Sequence, residues 1–249
     1  MSGHSKWSKV KRYKGALDEK RGKIFSRLSK EIQLAAKSGG DPDSNARLRT
    51  ILLKAKEVSM PTDTIKRAIG KGTGAEAAAA LEEVVYEGYA PAGVAVLVEA
   101  VTDNRNRTAA DIRSIFTKNG GNMAESGSVS FLFDKKGQIL VKKEAISEDD
   151  LMGLALDAGA EDLKSDKSDV YEILTSPEAF YKVKKALEDK KIATESAEIM
   201  FIPKTTIVLD EKKANSVLNL YDALDEYEDA INVHANFEIS DEIMAKLGR

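Results

Sequence analysis

The residues at the start of the chain that could do chemistry are positively charged. Ten Lys or Arg residues fall between positions 6 and 30, and the only tryptophan of the chain stands among them. Lysine and arginine neutralise the phosphates of nucleic acids, and an aromatic ring stacks on unpaired bases. We therefore predict a nucleic-acid-binding surface made of Lys6, Trp7, Lys9, Lys11, Arg12, Lys14, Lys20, Lys23, Arg27 and Lys30. The alternative is that Trp7 packs on the helices that follow and that the lysines only solubilise the surface.

A second pair of cations lies in the segment TDNRNRT, residues 102–108. A helix is expected to begin there, and the free N–H groups of a helix start favour an anion. Arg105 and Arg107 would add two guanidinium groups, so they form a candidate anion site. The same residues also fit another interpretation, in which Asp103 and Asn104 form a turn and the arginines pair with nearby acids.

The sequence has few of the residue patterns that are typical of an active site. It has no cysteine and only two histidines, His4 and His234, at no metal-binding spacing. The segment GKGTG at residues 70–74 follows a helix and lacks a phosphate-loop ending, so it is read as a linker. Five carboxylates at residues 222–229 could hold Mg²⁺ in a phosphate-ester enzyme, but a solvated acidic run is the commoner case. We expect a protein without catalytic activity, cofactor or metal.

The basic residues need helices to position them. Between Leu17 and Lys37, apolar side chains fall on one third of a helical wheel and basic side chains on another sector, which is typical of an amphipathic helix. Two further helices are predicted, over residues 47–58 and 62–70. Residues 1–78 are therefore predicted to form a basic helical domain.

The rest of the chain has the pattern of strands and helices together. Strands are predicted at residues 93–101, 128–133, 138–142, 169–175, 197–203, 205–210 and 230–239. Thr108 with Asp111 is the predicted helix cap after TDNRNRT, and Ser147 is predicted to cap a helix that ends at Gly159. The order of these elements indicates an α+β fold with two ferredoxin-like domains, one inserted in the other. The predicted boundaries are 79–133 with 204–249 for the discontinuous domain, and 134–203 for the inserted one.

The charge is divided unevenly along the chain. Residues 1–78 hold 18 Lys+Arg and 8 Asp+Glu, whereas the other 171 residues hold 20 and 33. This division predicts different partners: nucleic acid for the first part, and a polymerase or ribosomal protein for the acidic domains. The lack of cysteine and of a long apolar run favours the cytoplasm and gives no reason to expect a membrane partner.

Long motifs also resemble a known family. Four motifs are similar, in this order, to the YebC family: GHSKWSKVKRYKGALDEKRGKIFSRLSKEI, MPTDTIKRAIGKGTG, YEGYAPAGVAVLVEAVTDNRNRTAADIRSIFTKNGGNMAESGSVSFLF and the closing ANFEI. One difference is Ala92, where many members have glycine. The resemblance implies a three-domain cytosolic protein. It also implies one of two functions, because some members are described as DNA-binding transcriptional regulators. Others resemble translation factors at the ribosome, including a mitochondrial activator of cytochrome oxidase translation.

These observations favour a non-enzymatic, DNA-binding transcriptional regulator. The alternative is a ribosome-associated translation factor that binds ribosomal RNA and relieves stalling at proline-rich stretches. A backbone-dominated contact with phosphates would serve either function.

Overall fold

The computed structural model describes residues 19–74, 81–165 and 169–247. The chain forms two compact units. One consists of residues 132–204, and the other combines the described residues before Leu132 with those from Thr205 onward.

Three helices form the basic helical domain. They are α1 (Glu19–Ala36), α2 (Ala46–Glu57) and α3 (Thr62–Thr73). Their apolar faces meet in a core of their own, which includes Ile32, Leu48 and Ala68. Asn45 caps α2 by accepting from the Leu48 N–H, and its amide donates to the carbonyl of Ala35 in the last turn of α1 and to that of Gly39 in the loop that follows.

Helix α3 does not end at Gly70 as predicted, but continues to Thr73. The reason is the crossing of α3 with α1. A Cβ at Gly72 would lie 2.3 Å from the Gln33 carbonyl oxygen and 2.7 Å from the Ala36 Cβ. The glycine therefore permits close packing of two helices instead of stopping one.

The first sheet belongs to the same unit as these helices. Its elements and their neighbours are β1 (Glu82–Tyr89), β2 (Ala95–Thr102), α4 (Arg105–Lys118), β3 (Asn122–Ala124), β8 (Ile207–Val208), α7 (Glu211–Asp225), β9 (Ala230–Ala235), β10 (Phe237–Glu238) and α8 (Asp241–Lys246). The strands of the sheet lie in the order β3-β1-β2-β9, and each neighbouring pair is antiparallel. The two long helices α4 and α7 pack on one face around Phe116 and Leu218. The short strands β8 and β10 form a separate parallel pair.

Two local predictions in this region are wrong. The strand predicted at residues 128–133 is a loop that ends in a 3-10 turn at Ser130–Leu132, and the edge strand is β3 instead. Glu87, which is 4% exposed, holds this loop by accepting from the N–H groups of Gly127, Val129 and Ser130 at 2.7–2.9 Å. The cap of α4 is Asn104, not Thr108, because its side chain accepts from the Arg107 N–H. The strand β1 was not predicted at all.

The inserted unit has the order of elements expected of a ferredoxin-like domain, βαββαβ. Ser147 caps its first helix by accepting from the Asp150 N–H, and Gly159 ends that helix with a φ of 103°, as the sequence predicts. The elements are β4 (Phe133–Lys142), α5 (Glu148–Ala158), β5 (Ala160–Lys164), β6 (Val170–Thr175), α6 (Phe180–Asp189) and β7 (Thr194–Pro203). The sheet has the strand order β5-β6-β4-β7.

The two sheets have the same arrangement of strands in space. In each, a short edge strand is followed by three antiparallel neighbours, and two helices pack on one face. The order of the strands along the chain differs. β1 comes before the other strands of the first sheet, whereas β6, which has the same place in the second sheet, comes after β4 and β5. The predicted α+β fold class, with one ferredoxin-like domain inserted in another, is confirmed.

Candidate nucleic-acid interface

The structure places only part of the predicted binding surface. Lys6, Trp7, Lys9, Lys11, Arg12 and Lys14 lie outside the described residues. Lys20 lies in the first turns of α1, and Lys23, Arg27 and Lys30 follow on the same helix. Binding by any of these residues stays a prediction, but the surroundings of the last three divide them into two groups.

Lys23 belongs to a group of exposed cations without a partner. Within the described parts of the chain it makes no ion pair, and the same holds for Lys56 of α2 and for Lys66 and Lys71 of α3. The described residues 19–74 hold 13 Lys+Arg and 6 Asp+Glu, so cations outnumber acids in this domain. These four side chains are available to an external anion.

Arg27 and Lys30 are already paired with acids of the sheet domain. Arg27 Nη1 lies 3.5 Å from Asp225 Oδ1, at the end of α7, and Nη2 donates to the Tyr227 carbonyl at 3.3 Å. Lys30 Nζ donates to Asp229 Oδ1 at 2.5 Å and to the Glu228 carbonyl at 3.4 Å. Two predicted phosphate ligands thus contact the acidic run at residues 222–229.

Asp229 is the centre of this contact and is 4% exposed. Besides Lys30, its carboxylate accepts from Thr108 Oγ1 at 2.7 Å and from Arg107 Nη2 at 3.2 Å. Burial alone would raise the pKa of Asp229, but the hydrogen bonds from Lys30 and Thr108 outweigh it and lower the pKa to about 2. Asp229 is therefore ionised throughout the neutral range.

Tyr227 lies beside Asp229 in the same contact. Its hydroxyl donates to Asp111 Oδ2 at 2.9 Å and lies 3.3 Å from Asp229 Oδ2. Burial, together with the hydrogen bond to Asp111, raises the pKa of Tyr227 well above its usual value. The phenol stays neutral and donates its hydrogen bond to Asp111.

The two arginines of the candidate anion site also have acidic partners. Arg105 Nη1 lies 3.6 Å from Glu82 Oε2. Arg107 Nη2 lies 3.0 Å from Asp103 and 3.2 Å from Asp229. This is the arrangement that the alternative interpretation describes, and an anion at the start of α4 would have to compete with these carboxylates. Anion binding there stays a prediction.

The acidic run does not form a metal site. Among residues 19–74, 81–165 and 169–247, no group of three or more His, Asp or Glu side chains is arranged to hold a metal ion. His234, on β9, lies 2.9 Å from Glu99 Oε2 through Nε2 and is a buried strand residue. His4 lies outside the described residues.

Sequence reasoning missed Thr108, Tyr227 and Asp229 as members of one site. Thr108 was read as a helix cap, and the acidic run as solvated. The signal that could have found the contact is the charge itself, because a basic helix and a five-carboxylate run in one chain are complementary.

A basic three-helix domain joined to two α+β domains, one inserted in the other, defines a class of multidomain proteins with a candidate polyanion surface. Comparison with known proteins identifies the family. The model of the TACO1/YebC protein N-terminal domain matches residues 5–75, and that of the TACO1/YebC second and third domain matches residues 81–237. The chain belongs to the TACO1/YebC family.

Relatives match over their whole length. A protein of Geobacter sp. (strain M21) is 54% identical over 248 residues, which cover 99% of this chain and 100% of the relative. One of Syntrophobacter fumaroxidans is 52% identical over 249 residues, with 99% and 100% covered. Both are named probable transcriptional regulatory proteins. The crystal structure of a conserved hypothetical protein from Aquifex aeolicus is similar, with a TM-score of 0.80, 46% identity and coverage of 92% of this chain and 95% of that one.

Proposed function

We propose that the protein is a DNA-binding transcriptional regulator that contacts the phosphate backbone through its basic helical domain. The observation that carries the proposal is a group of four exposed lysines on the three helices that make no ion pair within the described parts of the chain: Lys23, Lys56, Lys66 and Lys71. Two relatives that match over their full length are named probable transcriptional regulatory proteins, which supports the same interpretation.

The mechanism is neutralisation of phosphates. Each lysine that contacts the DNA releases condensed counterions, which makes the binding sensitive to salt and largely independent of sequence. The basic residues from Lys6 to Lys14 would extend the contact, and Trp7 would stack on or wedge between bases. No catalytic step or cofactor is required, and the acidic α+β domains would be left to contact a protein such as polymerase.

The protein is proposed to act in the cytoplasm. In the described part of the chain, every helix is too short or too polar to cross a bilayer.

The test is binding of a fluorescein-labelled, mixed-sequence DNA duplex, followed by anisotropy across a salt series. Lys23→Glu with Lys66→Glu should reduce the salt slope of log affinity by about 2, one for each lost phosphate contact. The matched control is Lys182→Glu with Lys190→Glu, which changes the charge equally on exposed residues of the inserted domain.

A double variant that binds duplex as tightly as the wild type would refute the proposed surface. Co-sedimentation with ribosomes is measured in parallel. Retention on ribosomes, together with indifference to duplex at physiological salt, would replace DNA with ribosomal RNA as the target and make the protein a translation factor.

A further inference from the structure

We propose that the segment 225–229, called here the acidic segment, competes with nucleic acid for Arg27 and Lys30 and so restrains binding. The inference rests on the proposed function and adds its regulation. In the closed arrangement the acidic segment holds both cations. In the bound arrangement phosphates take its place, and the helical domain separates from the sheet domain at this contact.

The positions of the cations favour competition. Lys23, Arg27 and Lys30 follow one another at spacings of four and three residues, so they share one face of α1. Lys23 is exposed and has no ion-pair partner among the described residues, whereas the Arg27 and Lys30 side chains are only 18% and 19% exposed under the acidic segment. A phosphate backbone bound at Lys23 would lie directly beside the two covered cations.

Arg27 is held incompletely. Its ion pair with Asp225 is single and long, at 3.5 Å. Its Nε is buried and, among the described residues, has no hydrogen-bond partner. A guanidinium can bind a phosphate through two parallel N–H groups, which the present contact does not provide. Exchange of the carboxylate for a phosphate would therefore satisfy a donor that the closed arrangement leaves unsatisfied.

The acids can lose their cations without harm to the fold. Asp229 would keep Arg107 and Thr108 as donors after Lys30 leaves. The Asp225 side chain is 30% exposed and would remain hydrated. Opening thus avoids the large cost of an isolated buried charge.

The two cores are also separate. The apolar core of the helical domain shares no residue with the core of the sheet domain. Their other contacts include hydrogen bonds and ion pairs, from Lys37 Nζ to the Leu81 carbonyl at 2.6 Å and from Arg47 to Glu83. Polar contacts between domains are exchanged for water more readily than apolar ones.

The decisive experiment compares two variants with equal loss of charge. Asp225→Asn with Asp229→Asn removes the carboxylates that hold the two cations. Glu226→Gln with Glu228→Gln removes two exposed carboxylates of the same segment whose side chains hold no cation of the described residues. Affinity for the labelled duplex is measured from low to physiological salt. We expect the first variant to bind about tenfold more tightly than the second, with the largest difference at low salt, where ion pairs are strongest.

Opening is measured directly by energy transfer. The chain has no cysteine, so Ser44→Cys before α2 and Asn215→Cys on α7 give two specific labelling sites on exposed residues. Energy transfer between the two labels should fall when duplex saturates the wild-type protein.

If Asp229→Asn impairs folding, Asp225→Asn alone should tighten binding of the duplex about threefold, since it frees Arg27 only.

The outcomes separate the two proposals. Equal affinity of the two charge variants, or unchanged energy transfer at saturation, would overturn the competition while leaving DNA binding intact. Absence of duplex binding by the wild type and by every variant would refute the proposed function and the competition with it. Binding by the Asp225/Asp229 variant alone would establish the competition in its strongest form.

Discussion

Lys30 and Asp229 lie 199 residues apart in the chain, and their side chains meet at 2.5 Å. Lys30 belongs to the basic helix that opens the described structure, and Asp229 to the acidic run near its end. The contact joins the helical domain to the first sheet domain through complementary charge. It also makes the basic surface smaller than the sequence suggests, because cations are bound before any ligand arrives.

The buried carboxylate should make stability depend on pH. The pKa of Asp229 is lowered from 3.8 to about 2 in the folded protein. The ionised side chain therefore stabilises the fold fully above its ordinary pKa of 3.8, and this stabilisation is lost as the pH falls through the folded-state pKa. The shift corresponds to about 2 kcal/mol. Asp229→Asn should lower the free energy of unfolding by about this amount at pH 7. Because the variant lacks the carboxylate, its free energy of unfolding should fall less than that of the wild type between about pH 5 and pH 2. Urea denaturation across this range measures it.

Glu226→Gln is the control for that series, because its side chain is exposed. A wild-type pH profile in Asp229→Asn would contradict the assignment of the low pKa to Asp229.

The loop after β3 should depend on one carboxylate. Burial alone would raise the pKa of Glu87, but the N–H groups of Gly127, Val129 and Ser130 outweigh it and lower the pKa. Glu87→Gln removes the charge from these hydrogen bonds and should destabilise the protein by about 2 kcal/mol. Hydrogen exchange of the three amides should accelerate. The exposed Glu125→Gln is the matched control, and equal exchange rates in the two variants would exclude an anchoring role.

Two glycines of α3 should respond oppositely to alanine. A Cβ at Gly72 would clash with the Gln33 carbonyl at 2.3 Å, whereas one at Gly70 meets nothing within 4 Å. Gly72→Ala should therefore destabilise the helical domain by about 2 kcal/mol through overpacking. Gly70→Ala should stabilise it by about 0.5–1 kcal/mol through helix propensity. Thermal unfolding followed by circular dichroism compares them, and effects of the same sign would contradict the helix crossing.

The β1–β2 turn should gain from a glycine. Ala92 has a φ of 63°, a conformation that costs a residue with a Cβ about 1–2 kcal/mol. Ala92→Gly relieves this strain but adds entropy to the unfolded chain, so a net gain of about 0.5 kcal/mol is expected. Chemical denaturation measures it. Gly93→Ala, at a φ of 75°, should have the opposite sign, and a loss of stability in both variants would show that Ala92 is unstrained.

Local sequence predicted those elements whose signals are local. Ser147 and Gly159 bound a helix because a hydroxyl cap and a left-handed glycine act within one turn. The amphipathic pattern of α1 likewise predicted its place on a helical core. The α+β class followed from the change between helical and strand periodicity along the chain.

Elements defined by pairing were missed or misplaced. β1 pairs through backbone hydrogen bonds with β2 on one side and with the three-residue β3 on the other, so neither β1 nor β3 is defined by its own residues alone. The segment 128–131 has the composition of a strand, but a buried carboxylate from β1 takes its backbone N–H groups. Gly72 was read as a linker residue because only the approach of α1 explains it.

The amino-acid sequence by itself determined the charge of each part of the chain and the helix that carries the basic face. Only the tertiary structure decided which cations are exposed. Lys23 and Lys30 carry the same charge on the same face of α1, yet Lys23 has no ion pair with any residue that the structure describes, whereas Lys30 is held by Asp229. The physical reason is that an ion pair depends on distance in space, and folding alone brings residues 199 positions apart within 2.5 Å.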